Sequence, residues 1–230
     1  LDHKIHTGNG IIFHCTLESF LSEKCKLHKD INLNVTFPII KTGRGISLEE
    51  AFTLCVLVRA ISARRCFEIG TFHGWSTFLI TSAMGEGGKT FTIDLPPDAK
   101  TKLPLDRNMD CYELTENDVG RNFSQHIPHG TEIVQLYGDS ATFDFSPWEK
   151  TIDLVFIDGA HSNSYVLNDT IQAFKVVRDG GLIIWHDFKA SCPGLIRALK
   201  KIGKDVDLMH IEGTSLVVCV KESTIFQQKR

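Results

Sequence analysis

No two of the seven cysteines stand in a CxxC spacing, and no charge run or long apolar run interrupts the chain. Each absence excludes a class. Cys15, Cys25, Cys55, Cys66, Cys111, Cys192 and Cys219 are odd in number, widely separated and in several cases set inside apolar runs. A disulfide framework or structural zinc needs even or clustered cysteines, so most are expected to be small buried hydrophobes in a reducing, cytoplasmic setting. Lysines and arginines are scattered, and the formal net charge is -3. That leaves no electrostatic footprint for nucleic acid or anionic lipid and favours a small-molecule partner. No apolar run approaches the roughly 18 residues of a membrane span. Leu1 in place of an initiator methionine leaves an upstream segment open.

What remains is 230 residues with 42% hydrophobic and 23% charged side chains, enough for one α/β domain with a sizeable core. Residues 1–46 are expected to be an irregular N-terminal extension, a lid or packing arm, with a short helix around Leu17 to Leu27. Its histidines, His3, His6, His14 and His28, lack metal-site spacing and are taken as surface residues. From Ser47 the pattern becomes regular. Ser47-Leu48-Glu49-Glu50 has the capping-box spacing ahead of an apolar-periodic segment and predicts a helix to about Ser62.

Short apolar runs then alternate with helix-period segments, as parallel strands with crossover helices do. The expected strands are 66–70, 90–95, 132–137, 152–157, 182–186, 207–211 and 215–221. The expected helices lie near 75–84, 117–126, 164–177 and 194–201. The three residues Glu212-Gly213-Thr214 are too few for a crossover, so the last two strands must pair antiparallel. The domain from 47 to 230 is therefore a seven-stranded, mostly parallel sheet with one reversed terminal strand and helices on both faces. Leu95 to Asn117 is a long surface loop, the kind that carries function.

Open parallel sheets bind ligands beyond the carboxyl ends of their strands, and here each such end is polar. Glu68 and Gly70 close the first strand, Asp94 the second, Gly138-Asp139-Ser140 the third, Asp158-Gly159-Ala160-His161 the fourth and His186-Asp187 the fifth. Gly70 and Gly74 fit a tight turn from strand to helix. Asp94, about two dozen residues beyond Gly70, stands where a carboxylate can accept both hydroxyls of a ribose diol. The glycine pattern E-x-G-x-x-x-G differs from the G-x-G-x-x-G that cradles a pyrophosphate. A nucleoside without a pyrophosphate fits better.

With these residues in this order, the stretch from about Ser47 to Lys221 resembles the class I S-adenosylmethionine-dependent methyltransferases, in particular the branch of O-methyltransferases acting on sugars and natural products. The pieces that carry the resemblance are Glu68-Ile69-Gly70-Thr71, Ile93-Asp94, Gly138-Asp139-Ser140, Phe156 to His161 and Asp179 to Asp187. The resemblance implies a Rossmann-like fold. It also implies that Glu68, Gly70, Thr71, Gly74 and Ser76 surround the methionine moiety of S-adenosyl-L-methionine. Asp94 would hold the ribose, Asp139 and Ser140 would flank the adenine, and Asp158 would be both a cofactor-binding and a catalytic residue.

Methyl transfer from a sulfonium asks the protein to align donor and acceptor and to remove a proton. A divalent cation would assist with a hydroxyl of high pKa, and Asp158, His186 and Asp187 are the candidate ligands. Catechol-type relatives use an Asp-Asn pair where this chain has His186-Asp187. The imidazole shifts the preference from magnesium toward manganese, iron or zinc, unless His186 is not a ligand. His161, at the offset where those relatives place a catalytic lysine, is the candidate general base, a side chain matched to neutral pH.

The expected activity is methylation of a small hydroxylated acceptor, a sugar or glycosylated metabolite among the candidates, by a monomer or homodimer. Three other readings stay open: a metal-dependent hydroxylase-like relative using Asp158, His186 and Asp187, a dinucleotide enzyme, and a catalytically silent cofactor-binding module.

Overall fold

The computed structural model describes residues 3–7, 10–27, 29–33, 35, 45–106, 118–123 and 127–222. Seven strands fall where the sequence predicts them: β3 (Arg65–Ile69), β4 (Lys89–Asp94), β5 (Glu132–Tyr137), β6 (Ile152–Ile157), β7 (Val177–Trp185), β8 (Leu208–Ile211) and β9 (Val217–Val220). Two more precede them, β1 (His3–Thr7) and β2 (Gly10–Cys15), so the extension expected to be irregular forms a hairpin. The sheet therefore has nine strands, in the order β1-β2-β8-β9-β7-β6-β3-β4-β5. β2 lies parallel to β8, and β9 runs antiparallel to both β7 and β8. The reversed strand is thus as expected, while the sheet edge is not. β8 would otherwise end the sheet with unpaired backbone groups, and β2 pairs with them.

Among the described residues five helices cover the sheet: α1 (Leu17–Glu23), α2 (Leu48–Ala60), α3 (Trp75–Met84), α4 (Asn163–Val176) and α5 (Pro193–Ile202). One apolar layer joins α4 and α5 to the face carrying Phe67, Ile69, Val155, Ile183, Trp185 and Val217. The other joins α1, α2 and α3 to the face carrying Cys66, Leu154, Phe156, Ile184 and Val218. Four cysteines (Cys15, Cys55, Cys66, Cys219) are buried free thiols in these layers, and Cys25 and Cys192 are half-buried. Trp185 is fully buried and its indole N–H donates to Thr170 Oγ1 at 2.9 Å. The predicted helix at 117–126 is not formed in its described part, where 118–123 are turns. Residues 117 and 124–126 lie outside the described residues, as do 107–117 of the long loop.

The capping box at the start of α2 is complete. Ser47 Oγ accepts from Glu50 N, and Glu50 Oε2 accepts from Ser47 N at 2.8 Å. It stops the helix at the carboxyl edge of the sheet, which brings Glu50 to the strand ends.

A single register row crosses all nine strands near that edge. It runs Leu136, Ile93, Ile69, Ile157, Trp185, Val217, His210, His14, His3. Ile93, Ile69, Ile157, Trp185 and Val217 belong to the layer under α4 and α5. Beyond Val217 the row turns to histidine.

β3 and β6 are neighbours, yet β4 and β5 follow β3 outward on one side and β7 follows β6 on the other. This reversal opens a crevice at their carboxyl ends. Gly70, at φ +99°, lies so close to the next turn that a Cβ would stand 2.4 Å from the Asp158 carbonyl oxygen. Replacing Gly70 with alanine should destabilise the fold by about 3 kcal/mol or more, the sum of backbone strain and overpacking. Gly213→Ala, at φ +78° with nothing within 4 Å, should cost only about 1–2 kcal/mol. Equal losses in urea denaturation would refute the close-contact account.

Candidate functional site

Asp94 closes β4 and folds the glycine turn over the strand end. Its Oδ2 accepts from Phe72 N at 2.6 Å and its Oδ1 from Leu95 N at 2.8 Å. Burial lifts this carboxyl above the usual range, with the backbone amides pulling it back. The Thr71 amide also contributes to holding this carboxyl.

The residues around it are bonded within the chain. Glu68 is fully buried under α3, where it accepts from Ser76 Oγ at 2.5 Å, from Thr92 Oγ1 at 2.6 Å and from Thr77. Burial pushes its carboxyl up to about 7. Glu68 and Ser76 are therefore bonded to each other and hold strand to helix. Thr71 is similarly engaged, with Thr92 at 2.7 Å and with Gln135 Nε2 at 3.0 Å. A Cβ on Gly74 would meet the Phe123 ring at 2.4 Å. The turn is sealed there by 118–123, whose Gly120 and Asn122 amides donate to the Phe72 and His73 carbonyls. Both glycines are thus required by packing within the chain.

Asp139, beyond β5, accepts from Ala141 N at 2.8 Å through Oδ1. Its Oδ2 accepts from Tyr165 Oη at 2.8 Å and Lys102 N at 2.7 Å. It ties the 95–106 loop to α4 and shapes the crevice wall. The Ser140 carbonyl accepts from Asn168 Nδ2 at 3.1 Å. Beside it, Asp169 is 1% exposed, one of its oxygens has no hydrogen-bond partner among the described residues, and burial pushes its carboxyl up to about 6.

The second half of the site is built on β6 and β7. His186 Nδ1 lies 3.0 Å from Asp158 Oδ1 and 3.4 Å from Asp187 Oδ1. Its Nε2 lies 3.2 Å from Glu50 Oε2. Glu50 Oε1 in turn accepts from Ser215 N at 2.8 Å and Ser215 Oγ at 2.6 Å. His161 Nε2 reaches Asp187 Oδ2 at 3.0 Å and Asp158 Oδ1 at 3.8 Å. Asp187 itself holds φ +65° and pairs with Lys189 Nζ at 2.6 Å. Cys192, capping α5, has its sulfur within 4.8 Å of ligand atoms of His161 and Asp187.

Charge follows from this geometry. Burial opposes protonation of both histidines, but the carboxylates prevail and raise His161 to about 10 and His186 to about 11. Burial would likewise raise Glu50, Asp158 and Asp187, yet the imidazoles hold all three below the usual carboxylate range. The expectation that His161 is matched to neutral pH is therefore corrected. Two carboxylates keep its proton on.

Asp158, His186 and Asp187 also have the chemistry of a cation site. His186 Nδ1 stands 3.0 Å from Asp158 Oδ1 and 3.4 Å from Asp187 Oδ1, near the separation of adjacent ligands around an ion with bonds of about 2.1 Å. Glu50, accepting from Nε2, would leave Nδ1 as the ligating nitrogen, the usual carboxylate support of a metal-bound histidine.

The family described as "Methyltransferase domain" matches residues 67–188, more than half of the chain. The chain belongs to this methyltransferase-domain family. Similar proteins include the tapetum-specific methyltransferase 1 of Arabidopsis thaliana, 25% identical over 62% of this chain and 54% of that protein. The catechol O-methyltransferase of Mycobacterium tuberculosis is 26% identical over 61% of this chain and 55% of that protein. The matched part thus spans little more than half the length of these relatives. An O-methyltransferase from Bacillus cereus, solved in complex with SAH, superposes with a TM-score of 0.54 at 18% identity, covering 78% of this chain and 84% of that one. At that identity the likeness is one of fold, and the fold is that of a Rossmann-like methyltransferase domain.

Glu50 is the member of the site that the sequence reading missed. Its only signal was the capping box, which accounts for a helix start and says nothing of His186. Of the expected residues, Asp158, His161, His186 and Asp187 converge, and Asp94 and Asp139 stand at the crevice. Raised histidines stabilise the fold fully below their unfolded pKa of about 6.5 and lose that contribution toward pH 10 to 11. The lowered carboxylates contribute fully above about pH 4.5 and lose it on acidification. The difference in unfolding temperature between the wild type and His186→Gln should therefore peak near pH 5 to 6.5 and shrink steadily above it. A constant difference would contradict the charged cluster.

Proposed function

We propose that this chain transfers a methyl group from S-adenosyl-L-methionine to a hydroxyl of a small molecule, with a sugar or glycosylated metabolite as the acceptor class and a divalent cation assisting. The observation that carries the reading is the contact of the Gly70 turn with the Asp158–Gly159 turn, which brings the glycine turn, read here as the donor side, directly beside a cluster of carboxylates and imidazoles. That adjacency is what an in-line displacement needs. The matched family supports the same class of reaction.

In this reading Asp94 accepts the ribose hydroxyls, and the Asp139 anchor with Ser140 walls the adenine. Bound S-adenosyl-L-methionine supplies an electrophilic methyl on a sulfonium. With a cation on Asp158, His186 and Asp187 drawing off the negative charge that keeps its proton on, His161 would be a free base and take the acceptor's proton at Nε2 as the oxygen–methyl bond forms and the sulfur–methyl bond breaks, leaving S-adenosylhomocysteine and the methyl ether. A divalent cation on Asp158, His186 and Asp187 would stabilise the developing alkoxide and draw off the negative charge that keeps His161 protonated. The two carboxylates and the imidazole suit manganese, iron or zinc better than magnesium.

Calorimetry should show binding of S-adenosyl-L-methionine and S-adenosylhomocysteine and none of NAD; the reverse would overturn the reading. Asp94→Ala should weaken donor binding about 10- to 100-fold, the worth of charge-assisted hydrogen bonds. With a panel of hydroxylated acceptors, His161→Ala should cut turnover by about 10²- to 10⁴-fold while donor affinity stays within about threefold. Turnover indifferent to chelation would remove the cation from the scheme.

A further inference from the structure

Asp187 turns one carboxylate oxygen to each side. Its Oδ1 faces His186 Nδ1 at 3.4 Å, within the cation triad, and its Oδ2 faces His161 Nε2 at 3.0 Å, outside that triad. On this second side the Cys192 sulfur lies within 4.8 Å of a ligand atom of each of His161 and Asp187. All three residues are half-buried, and Cys192 is a free thiol.

The backbone builds this arrangement. Asp187 holds φ +65°, and the amides of Lys189 and Cys192 donate to the Asp187 and Lys189 carbonyls at 2.7 and 2.9 Å. Two successive turns so fold Cys192 back toward Asp187. Pro193 then starts α5, and Gly194 lets its first turn press on the chain at His161, because a Cβ there would stand 2.5 Å from the His161 carbonyl oxygen. His161 Nε2 is shielded from solvent, yet despite its closeness to Asp187 it makes no hydrogen bond of good geometry among the described residues. A nitrogen and a carboxylate oxygen set side by side, off the hydrogen-bond direction, can both aim a lone pair at a third point.

Adjacent ligands of a tetrahedral zinc stand about 3.3 Å apart when both are N or O and about 3.6 Å apart when one is sulfur. The His161–Asp187 pair is within a few tenths of an ångström of that spacing, and rotation of the cysteine side chain by about 1 Å brings in the sulfur. We propose that His161, Asp187 and Cys192 form a second metal site, for a zinc-class ion, with the Asp187 carboxylate bridging it to the cation triad. A thiolate and an imidazole select softer ions and would hold magnesium or calcium poorly. The ion takes the place of the protons on His161 and Cys192. Zinc there would also switch methyl transfer off, a consequence that rests on the transfer proposed above: with its Nε2 lone pair given to the ion, His161 cannot take the acceptor's proton.

Sulfur is the donor that the cation triad lacks, so it reports on this site alone. Co²⁺ added to the reduced full chain should give a sulfur-to-cobalt charge-transfer absorption in the near ultraviolet. The band should be absent from Cys192→Ser and should need about tenfold more Co²⁺ in His161→Gln. Serine is itself a favoured N-cap, so Cys192→Ser keeps the start of α5. Zn²⁺ should slow alkylation of Cys192 by iodoacetamide, followed by peptide mass, about tenfold or more in the wild type and little in His161→Gln. A band that persists in Cys192→Ser, or a Cys192 that Zn²⁺ leaves unprotected in the wild type, overturns the site. In turnover assays Zn²⁺ should inhibit, with about tenfold more needed for Cys192→Ser; turnover that Zn²⁺ leaves untouched overturns the switch. A chain with no turnover on any hydroxylated acceptor counts against the methyl-transfer reading, while the sulfur band decides the metal site by itself.

Discussion

The imidazole of His186, buried between Glu50 and Asp158, is the interaction on which the site depends. It joins the start of α2, the ends of β6 and β7 and, through Ser215, the turn before β9. Four separate stretches of chain therefore meet at one charge. A buried ion adds stability only when its partners are well placed, and removing one partner leaves an uncompensated charge that costs about 3–5 kcal/mol. Here the partners are placed by backbone: a complete capping box holds Glu50, and the parallel register of β6 with β7 sets Asp158 beside His186. The cluster is costly to assemble, and that cost fits a site kept for chemistry more than for stability.

The other half of the crevice is governed by close packing. Gly70 admits the Asp158 carbonyl, Gly74 admits the Phe123 ring, and Asp94 ties down the intervening loop. The Gly70 turn and the Asp158–Gly159 turn are thereby locked into one rigid arrangement, since a shift of either would collide with the other. A transfer reaction gains from such preorganisation, because alignment of the reacting groups is much of what the protein supplies. Glu68 contributes by joining β3 to α3 in a dry network of hydroxyls, with its own carboxyl raised by burial.

The sheet as a whole obeys one constraint: every strand except the edges must be covered on both faces. Apolar residues from Leu136 to Val217 do this along the row nearest the site, with α4 and α5 above them. Past Val217 the same row carries histidines, and the N-terminal hairpin takes over the edge. The change of chemistry along a single row is what separates the crevice from the hairpin end.

The seven later strands, the five helices and the reversed β9 were legible in order from hydrophobic period, capping residues and the shortness of the 212–214 turn, all of which are local. So was the placement of Asp94, Asp158, His161, His186 and Asp187 at strand ends, since strand boundaries decide it. The N-terminal hairpin was not, because β1 and β2 acquire their stability from pairing with β8, nearly 200 residues away. Nor could linear order show that Glu68 faces α3, that Glu50 reaches His186, or that His161 is held between two carboxylates. Local sequence determines where a strand ends and which polar side chain closes it. Which charges then meet, and so which protons they keep, is decided by tertiary packing, because electrostatic coupling depends on separation in space.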